Sequence, residues 1–327
     1  MSQMRLNQLT GRWVTIVKTR ARRPTDFAPR KRPVEAESDR PCPFCPGNEE
    51  ETLPALETTD AAGGWTNRVV PNLYPAFAGD EGFAVQNLGP VHVMAPASGI
   101  HEVFVYSPHH DSGLHDLDDL AAGEFMQALK RRFVDHARTD KIRYTQFIVN
   151  HGREAGASLA HPHGQLLGLP FVPGEIIDEE RAFARFAGGC VLCTTVEAEI
   201  STGERVVMAT DDVAVICPYW SGAPYELLIV PRRHEMHLQD ADDHSLEAVG
   251  RALRDATGFL HAALGDVAFN VGFHAAPHQH TGEYHWHVHI WPNLVTQAGF
   301  ERGTGVMINI VPPEEAAEAL RSVAAHT

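Results

Sequence analysis

Residues 161–165 read HPHGQ, two histidines and a glutamine spaced by single residues. On a β-strand alternate side chains share a face, so His161, His163 and Gln165 are expected to project together. A neutral imidazole held in one tautomer is a competent nucleophile toward phosphorus, and a glutamine amide can donate to an oxygen on which charge develops. The preceding NHGREAGAS supplies Gly156, Ser158 and nearby amides able to cradle phosphate oxygens. An isolated H-x-H is more often a structural or metal-ligating pair, so its neighbours must decide.

Five cysteines stand at 42, 45, 190, 193 and 217, and four form two C-x-x-C pairs. The amino-terminal MSQMRLNQLTGRW lacks an apolar export signal, which favours metal binding over disulfides. Cys42, Cys45, His110 and His161 make a Cys₂His₂ set, enough to close a tetrahedral structural zinc site and leave His163 free. His109 adjoins His110, and only the repeat described next favours the latter. Cys190, Cys193, His234 and His285 offer a second such set, while Cys217 reads as a core cysteine. Twenty histidines, many between 274 and 289, add to the signal for metal or proton chemistry.

The elements that position these residues occur twice. His110 and His161 are 51 positions apart, and so are His234 and His285. In each half a C-x-x-C precedes an apolar stretch ending in proline (VFVYSP, LLIVP) and then the first histidine. Helical periodicity follows, in DLDDLAAGEFMQALKRRFVDHAR and HSLEAVGRALRDATGFLHAAL. A strand (YTQFIVN, VAFNVGF), a loop and the histidine-rich strand complete the unit. The first copy carries a polar insertion around residues 50–90. The expected fold is a duplicated α+β unit, antiparallel sheets flanked by helices, with halves 1–182 and 183–327.

The 27 basic and 42 acidic residues give a formal charge of −15, which argues against reading a nucleic acid backbone or an anionic membrane. No run of ~18 apolar residues occurs. The expectation is a cytoplasmic protein that binds phosphate locally.

HPHGQ, preceded by N-x₅-G-x-S and the upstream C-x-x-C, resembles the galactose-1-phosphate uridylyltransferase branch of the histidine-triad superfamily. RARRP at 20–24, PYWSGAPYELLIVPRRH at 218–234, GFHAAP at 272–277 and HVH at 287–289 have counterparts there in the same order. The resemblance implies a ping-pong reaction of UDP-glucose with hexose 1-phosphate, in which His163 carries the uridylyl group and Gln165 steadies the transferred phosphoryl group. It matches Arg20, Arg23, Asn72, Asn150, Gly156 and Ser158 to nucleotide- and phosphate-binding positions. Cys42, Cys45, His110 and His161 match zinc ligands. Glu179, His274, His287 and His289 match a second metal site, described in that family as iron or zinc. It also implies a homodimer with active sites shared between subunits. Read without the resemblance, Arg20 and Arg23 are solvated charges, and Glu179 beside Glu180 belongs to an acidic helix start.

Some features fit ADP-glucose phosphorylase-type members better: the second Cys₂His₂ set, NLYPA at 72–76, and the tail from AGFERGTG onward. Leu73 stands where the uridylyltransferases have aspartate, and Thr304–Gly305 where they have Tyr-Glu. HPHGQ itself points back to uridylyl transfer, since the phosphorylase type has serine in place of Pro162 and Gly164. Adenylyl transfer to phosphate is therefore the alternative, with the same chemistry at His163. An alternative of another class is a non-catalytic nucleotide-binding metalloprotein. His287 and His289 fall where the nucleophile and glutamine would in the second copy, which is expected to support metal binding and packing.

Overall fold

The structure, a computed structural model, describes residues 2–17 and 41–324. In the first half these form β1 (Gln3–Leu6), β2 (Trp13–Ile16), β3 (Glu57–Ala61), β4 (Gly64–Pro71), β5 (Gln86–Leu88), β6 (His92–Met94), β7 (Ile100–Val105), α1 (Asp119–Ala137), β8 (Tyr144–His151), β9 (His163–Leu169) and α2 (Gly174–Arg185). The second half adds α3 (Val191–Thr202), β10 (Val206–Ala209), β11 (Val213–Ile216), β12 (Leu227–Pro231), α4 (Asp243–Leu264), β13 (Phe269–His274), β14 (His287–Pro292), α5 (Gly299–Thr304), β15 (Met307–Asn309) and α6 (Pro313–Ala324). Arg20 and Arg23 lie outside the described residues.

The expected pair of antiparallel sheets is one sheet of ten strands, in the order β10-β11-β12-β14-β13-β8-β9-β7-β4-β3, every pairing antiparallel. Counted inward from either edge, the strands correspond by the repeat: β3 with β10, β4 with β11, β7 with β12, β9 with β14, and β8 with β13. The copies join where β8 pairs β13, with Asn150 opposite Asn270 and Phe147 opposite Phe273. Helices α1 and α4 begin 124 positions apart, as His110 and His234 do, and both open on aspartate caps: Asp118 accepts from Ala121 N–H and Asp242 from Ser245 N–H, each at 2.8 Å.

Period-two alternation assigns the faces. Phe147 and Val149 of β8, Leu166 of β9, Val271 and Phe273 of β13, and Val288 and Ile290 of β14 enter the large core with α1 and α4. The intervening residues, His163, Gln165, Asn150, His274, His287 and His289, consequently fall on the opposite face. The core face binds Gly164 tightly, since a Cβ there would lie 2.4 Å from the Phe147 ring.

The two long helices approach closely at Gly250, where a Cβ would meet the Ala122 carbonyl oxygen at 2.4 Å and Met126 Cγ at 3.0 Å. At Gly258, one helical face away, the nearest atom is His115 Cβ at 3.8 Å. Gly250→Ala should therefore destabilise the fold by about 1–3 kcal/mol through overpacking. Gly258→Ala should instead stabilise it by up to about 1 kcal/mol through helix propensity. Urea unfolding midpoints of the two variants check both signs.

Candidate active site and metal centres

The first cysteine–histidine set comes together at the open end of β9. Cys45 Sγ lies 3.3 Å from His110 Nδ1 and 3.6 Å from His161 Nδ1, and the donor atoms of Cys42, Cys45, His110 and His161 fall within 4.8 Å of one another. His110 turns toward the cysteines, whereas His109 is exposed. The His161 Nε2–H donates to the Ser107 carbonyl at 2.9 Å, which leaves the Nδ1 lone pair facing the sulfurs. That tautomer is the one a metal ligand needs. Two thiols and two so-directed imidazoles suit zinc, which would cross-link the loops before β3 and β9 without taking part in the reaction. The ladder of β9 starts at His163, so His161 is placed by its loop and not by strand alternation.

His163 hangs from this knuckle. Its Nδ1–H donates to the carbonyl of His161 at 2.8 Å, and the Phe44 ring, from between the two cysteines, packs 5.3 Å from its own. The proton held on Nδ1 leaves Nε2 with a free lone pair. Burial pushes the His163 pKa below its ordinary value, although the bond to the His161 carbonyl opposes this, so the neutral, nucleophilic form prevails at neutral pH. Gln165, two residues along β9, shares its face.

The loop from Gly152 to Pro162 faces the same end of the sheet. Gly156 adopts φ 95°, which favours glycine, and a Cβ on it would approach Asn150 Nδ2. Asn150 Oδ1 accepts from Asn270 Nδ2 at 2.7 Å, and that amide also reaches the Ala155 carbonyl at 2.8 Å. Among the described residues nothing accepts the amide hydrogens of Asn150, which suit an incoming acceptor. Ser158 is exposed on this loop. Asn72, after β4, has Oδ1 bound by Tyr74 N–H at 2.8 Å and Nδ2 3.2 Å from His101 Nε2.

The second cysteine–histidine set repeats the first. His285 Nδ1 lies 3.5 Å from Cys190 Sγ and 3.4 Å from Cys193 Sγ, and His234 Nδ1 lies 3.6 Å from Cys193 Sγ. Hydrogen bonds from Cys193 and then from His285 push the Cys190 thiol far down, the state a metal ligand requires. His287 Nδ1–H donates to the His285 carbonyl at 2.8 Å, the same bond His163 makes to His161. Cys217 is fully buried and its thiol is pushed up by that burial.

What faces His287 differs. Its Nε2 lies 3.1 Å from His289 Nε2 and 3.8 Å from Glu179 Oε1, while His274 Nδ1 lies 2.8 Å from the same carboxylate oxygen. Glu179 is not at a helix start: it is in the middle of α2, buried, with its other oxygen bound by the Tyr284 hydroxyl. Burial alone would raise its pKa, but the His274 and His287 imidazoles hold it well below the carboxylate range. Burial, with His274 and His287 nearby, pushes His289 far down. The donor atoms of Glu179, His274, His287 and His289 all lie within 4.8 Å of one another, and three imidazoles with a carboxylate suit iron or zinc. A cavity of about 250 Å³ adjoins this centre, lined by residues including Glu179, Glu226, His274 and His289.

Residues 1–173 match the model for the galactose-1-phosphate uridyl transferase N-terminal domain, and 177–326 that for the C-terminal domain. The chain belongs to that family. It is an enzyme of nucleotidyl transfer. An ADP-glucose phosphorylase of Arabidopsis thaliana is 32% identical over 98% of this chain and 93% of the relative. A galactose-1-phosphate uridylyltransferase of Thermotoga maritima is 29% identical over 98% of both. The crystal structure of an Arabidopsis thaliana ADP-glucose phosphorylase with bound ADP-glucose superposes with a TM-score of 0.83, at 30% identity over 98% of each chain.

Sequence reasoning missed His101, Tyr284 and Glu226, which lie against Gln165, Glu179 and His289. The signal for two of them lies in strand pairing: His101, on the strand beside β9, and Glu226, immediately before the strand beside β14, each stand two residues before the partner of Gln165 or His289. Metal analysis of the purified chain should give three equivalents. Cys42→Ser with Cys45→Ser should remove one, Cys190→Ser with Cys193→Ser a second, and Glu179→Gln with His289→Ala the third, each without loss of the other two. Inductively coupled plasma mass spectrometry checks the count.

Proposed function

We propose that this enzyme transfers a uridylyl group between UDP-glucose and a hexose 1-phosphate, galactose 1-phosphate by family, through a covalent intermediate on His163. The observation that carries the reading is the Nδ1–H of His163 held by the His161 carbonyl, with Nε2 free and Gln165 on the same face. In the first step Nε2 attacks the α-phosphorus. The bond from that phosphorus to its bridging oxygen breaks, and glucose 1-phosphate leaves with the electron pair. Positive charge then develops on the ring, where the His161 carbonyl already accepts the Nδ1 proton. In the second step a phosphate oxygen of the incoming hexose 1-phosphate attacks the same phosphorus, the phosphorus–nitrogen bond breaks, and His163 returns to its neutral form.

The remaining residues bind and orient. Asn150, Gly156 and Ser158 offer donors at the mouth of β8 and β9, and Asn72 offers its amide from the loop after β4. By resemblance Arg20 and Arg23 add phosphate contacts and a homodimer completes each site. The three metal centres hold loops and strands in place. The uridylyl reading draws on the resemblance of HPHGQ, in which Gly164 is also required by packing, since a Cβ there would lie 2.4 Å from the Phe147 ring.

Adenylyl transfer to phosphate is the second reading. Gly305, where the uridylyltransferases have glutamate, closes α5 with φ 72°, a conformation that strains other residues. Leu73 is exposed beside Asn72. Both departures are thus built into the local backbone or surface without cost to the fold.

Brief incubation with UDP-glucose should add one uridylyl mass to the intact protein, and His163→Ala should show none. An adenylyl adduct from ADP-glucose alone would move the enzyme to the phosphorylase reaction. Absence of any adduct in folded, metal-loaded protein would leave nucleotide binding without transfer. Gln165→Ala should slow adduct formation by roughly 10²-fold, as loss of a donor to a charged transition state does; quenched-flow mass spectrometry gives the rate.

A further inference from the structure

We infer that His101 is a positioning residue, which fixes the direction in which the Gln165 amide points; the inference rests on the transfer chemistry proposed at His163. His101 lies on β7, in register two residues before Val103, the partner of Gln165 on β9. Its Nδ1 accepts the backbone N–H of Ala76 at 3.0 Å. A backbone amide can only donate, so Nδ1 carries no proton, and in the neutral ring the proton must sit on Nε2.

That Nε2–H lies 2.9 Å from Gln165 Oε1 and donates to it. With its oxygen engaged, Gln165 presents its NH₂ group away from His101, as a donor. Reversed, the amide would set its NH₂ against the His101 N–H and turn a carbonyl lone pair toward a phosphoryl oxygen, a repulsive contact on both sides. The Ala76 amide, through one imidazole, therefore decides whether Gln165 is a donor or an acceptor at the reaction centre. Asn72 Nδ2, 3.2 Å from the same His101 nitrogen, is a donor facing that N–H and opposes it; the shorter 2.9 Å contact to the Gln165 oxygen and the Ala76 N–H on Nδ1 outweigh it.

The second half carries the same layout with other chemistry. Leu228 pairs His289 as Val103 pairs Gln165, which puts Glu226 in the place of His101. Its Oε1 lies 4.0 Å from His289 Nδ1, and Oε2 accepts from the Gly222 and Ala223 N–H groups at 2.6 and 3.2 Å. A residue two positions before the strand partner thus approaches the key side chain in both copies: a donor beside a glutamine, a carboxyl group beside an imidazole.

A double-mutant cycle on His101→Ala and Gln165→Ala tests the inference, with the rate of His163 adduct formation at saturating nucleotide sugar as readout. His101→Ala should slow the step by about 10-fold, with the half-saturating concentration within about 2-fold of wild type, and should have no further effect in the Gln165→Ala background. His101→Gln, which keeps a donor, should recover part of the rate. Multiplying losses, or a wild-type rate in His101→Ala, would overturn the inference. Nitrogen-15 spectra of histidine-labelled wild type give a second test: they should show His101 protonated on Nε2 alone, and a proton on Nδ1 alone would equally overturn it. If wild type forms no adduct, the transfer reading fails and the inferred role falls with it, whereas an adduct in wild type with additive variants fails the inference alone.

Discussion

The bond from His163 Nδ1–H to the carbonyl of His161 ties the imidazole proposed as nucleophile to the architecture. It settles the tautomer of the nucleophile, and its acceptor belongs to a residue whose own ring faces Cys45 and whose other nitrogen is held by Ser107. Phe44, between the paired cysteines, leans on both imidazoles. The cysteine–histidine cluster and the His163 imidazole are consequently one mechanical object. Movement of the loop that bears the cysteines would reach His163 through two contacts, and no cation need lie near the reacting phosphorus.

Duplication reproduced this object and then separated its uses. The His287 bond to the His285 carbonyl has the same length, beside an equivalent cysteine–histidine set. By the 124-residue offset, Asn150 becomes His274 and Gln165 becomes His289. Two amides that can donate are thereby replaced by two imidazoles with lone pairs, and α2 inserts the buried carboxylate of Glu179 among them. Donors suit phosphate oxygens, whereas lone pairs and a carboxylate suit a cation. The exchange of two side chains converts the environment from one suited to anions to one suited to a cation.

Both environments depend on a sheet whose faces are kept apart. Helices α1 and α4 cover one face with an apolar core, and their close approach at Gly250 sets how flatly they lie. Polar side chains on the other face can then be buried only where they find partners, as Glu179 does with His274 and Tyr284. The union of β8 with β13 makes the two halves one sheet and brings Asn270 of the second copy onto Asn150 of the first.

The sequence by itself determined the repeat, the two helices, the α+β class and the two clusters of paired cysteines and histidines, because each rests on local chemistry or fixed spacing; the Glu179 cluster came from the resemblance. Equal 51-residue separations and C-x-x-C pairs survive without coordinates. The sequence could also single out His163 and Gln165, since alternation on one strand places them together. Only the tertiary structure decided what lies across from them. Strand pairing brought His101 to Gln165, helix packing buried Glu179 in mid-helix against His274, and sheet union linked Asn150 with Asn270. These partners are 64, 95 and 120 positions apart, too far for periodicity to relate, because register between distant strands is fixed by the whole sheet closing on its core.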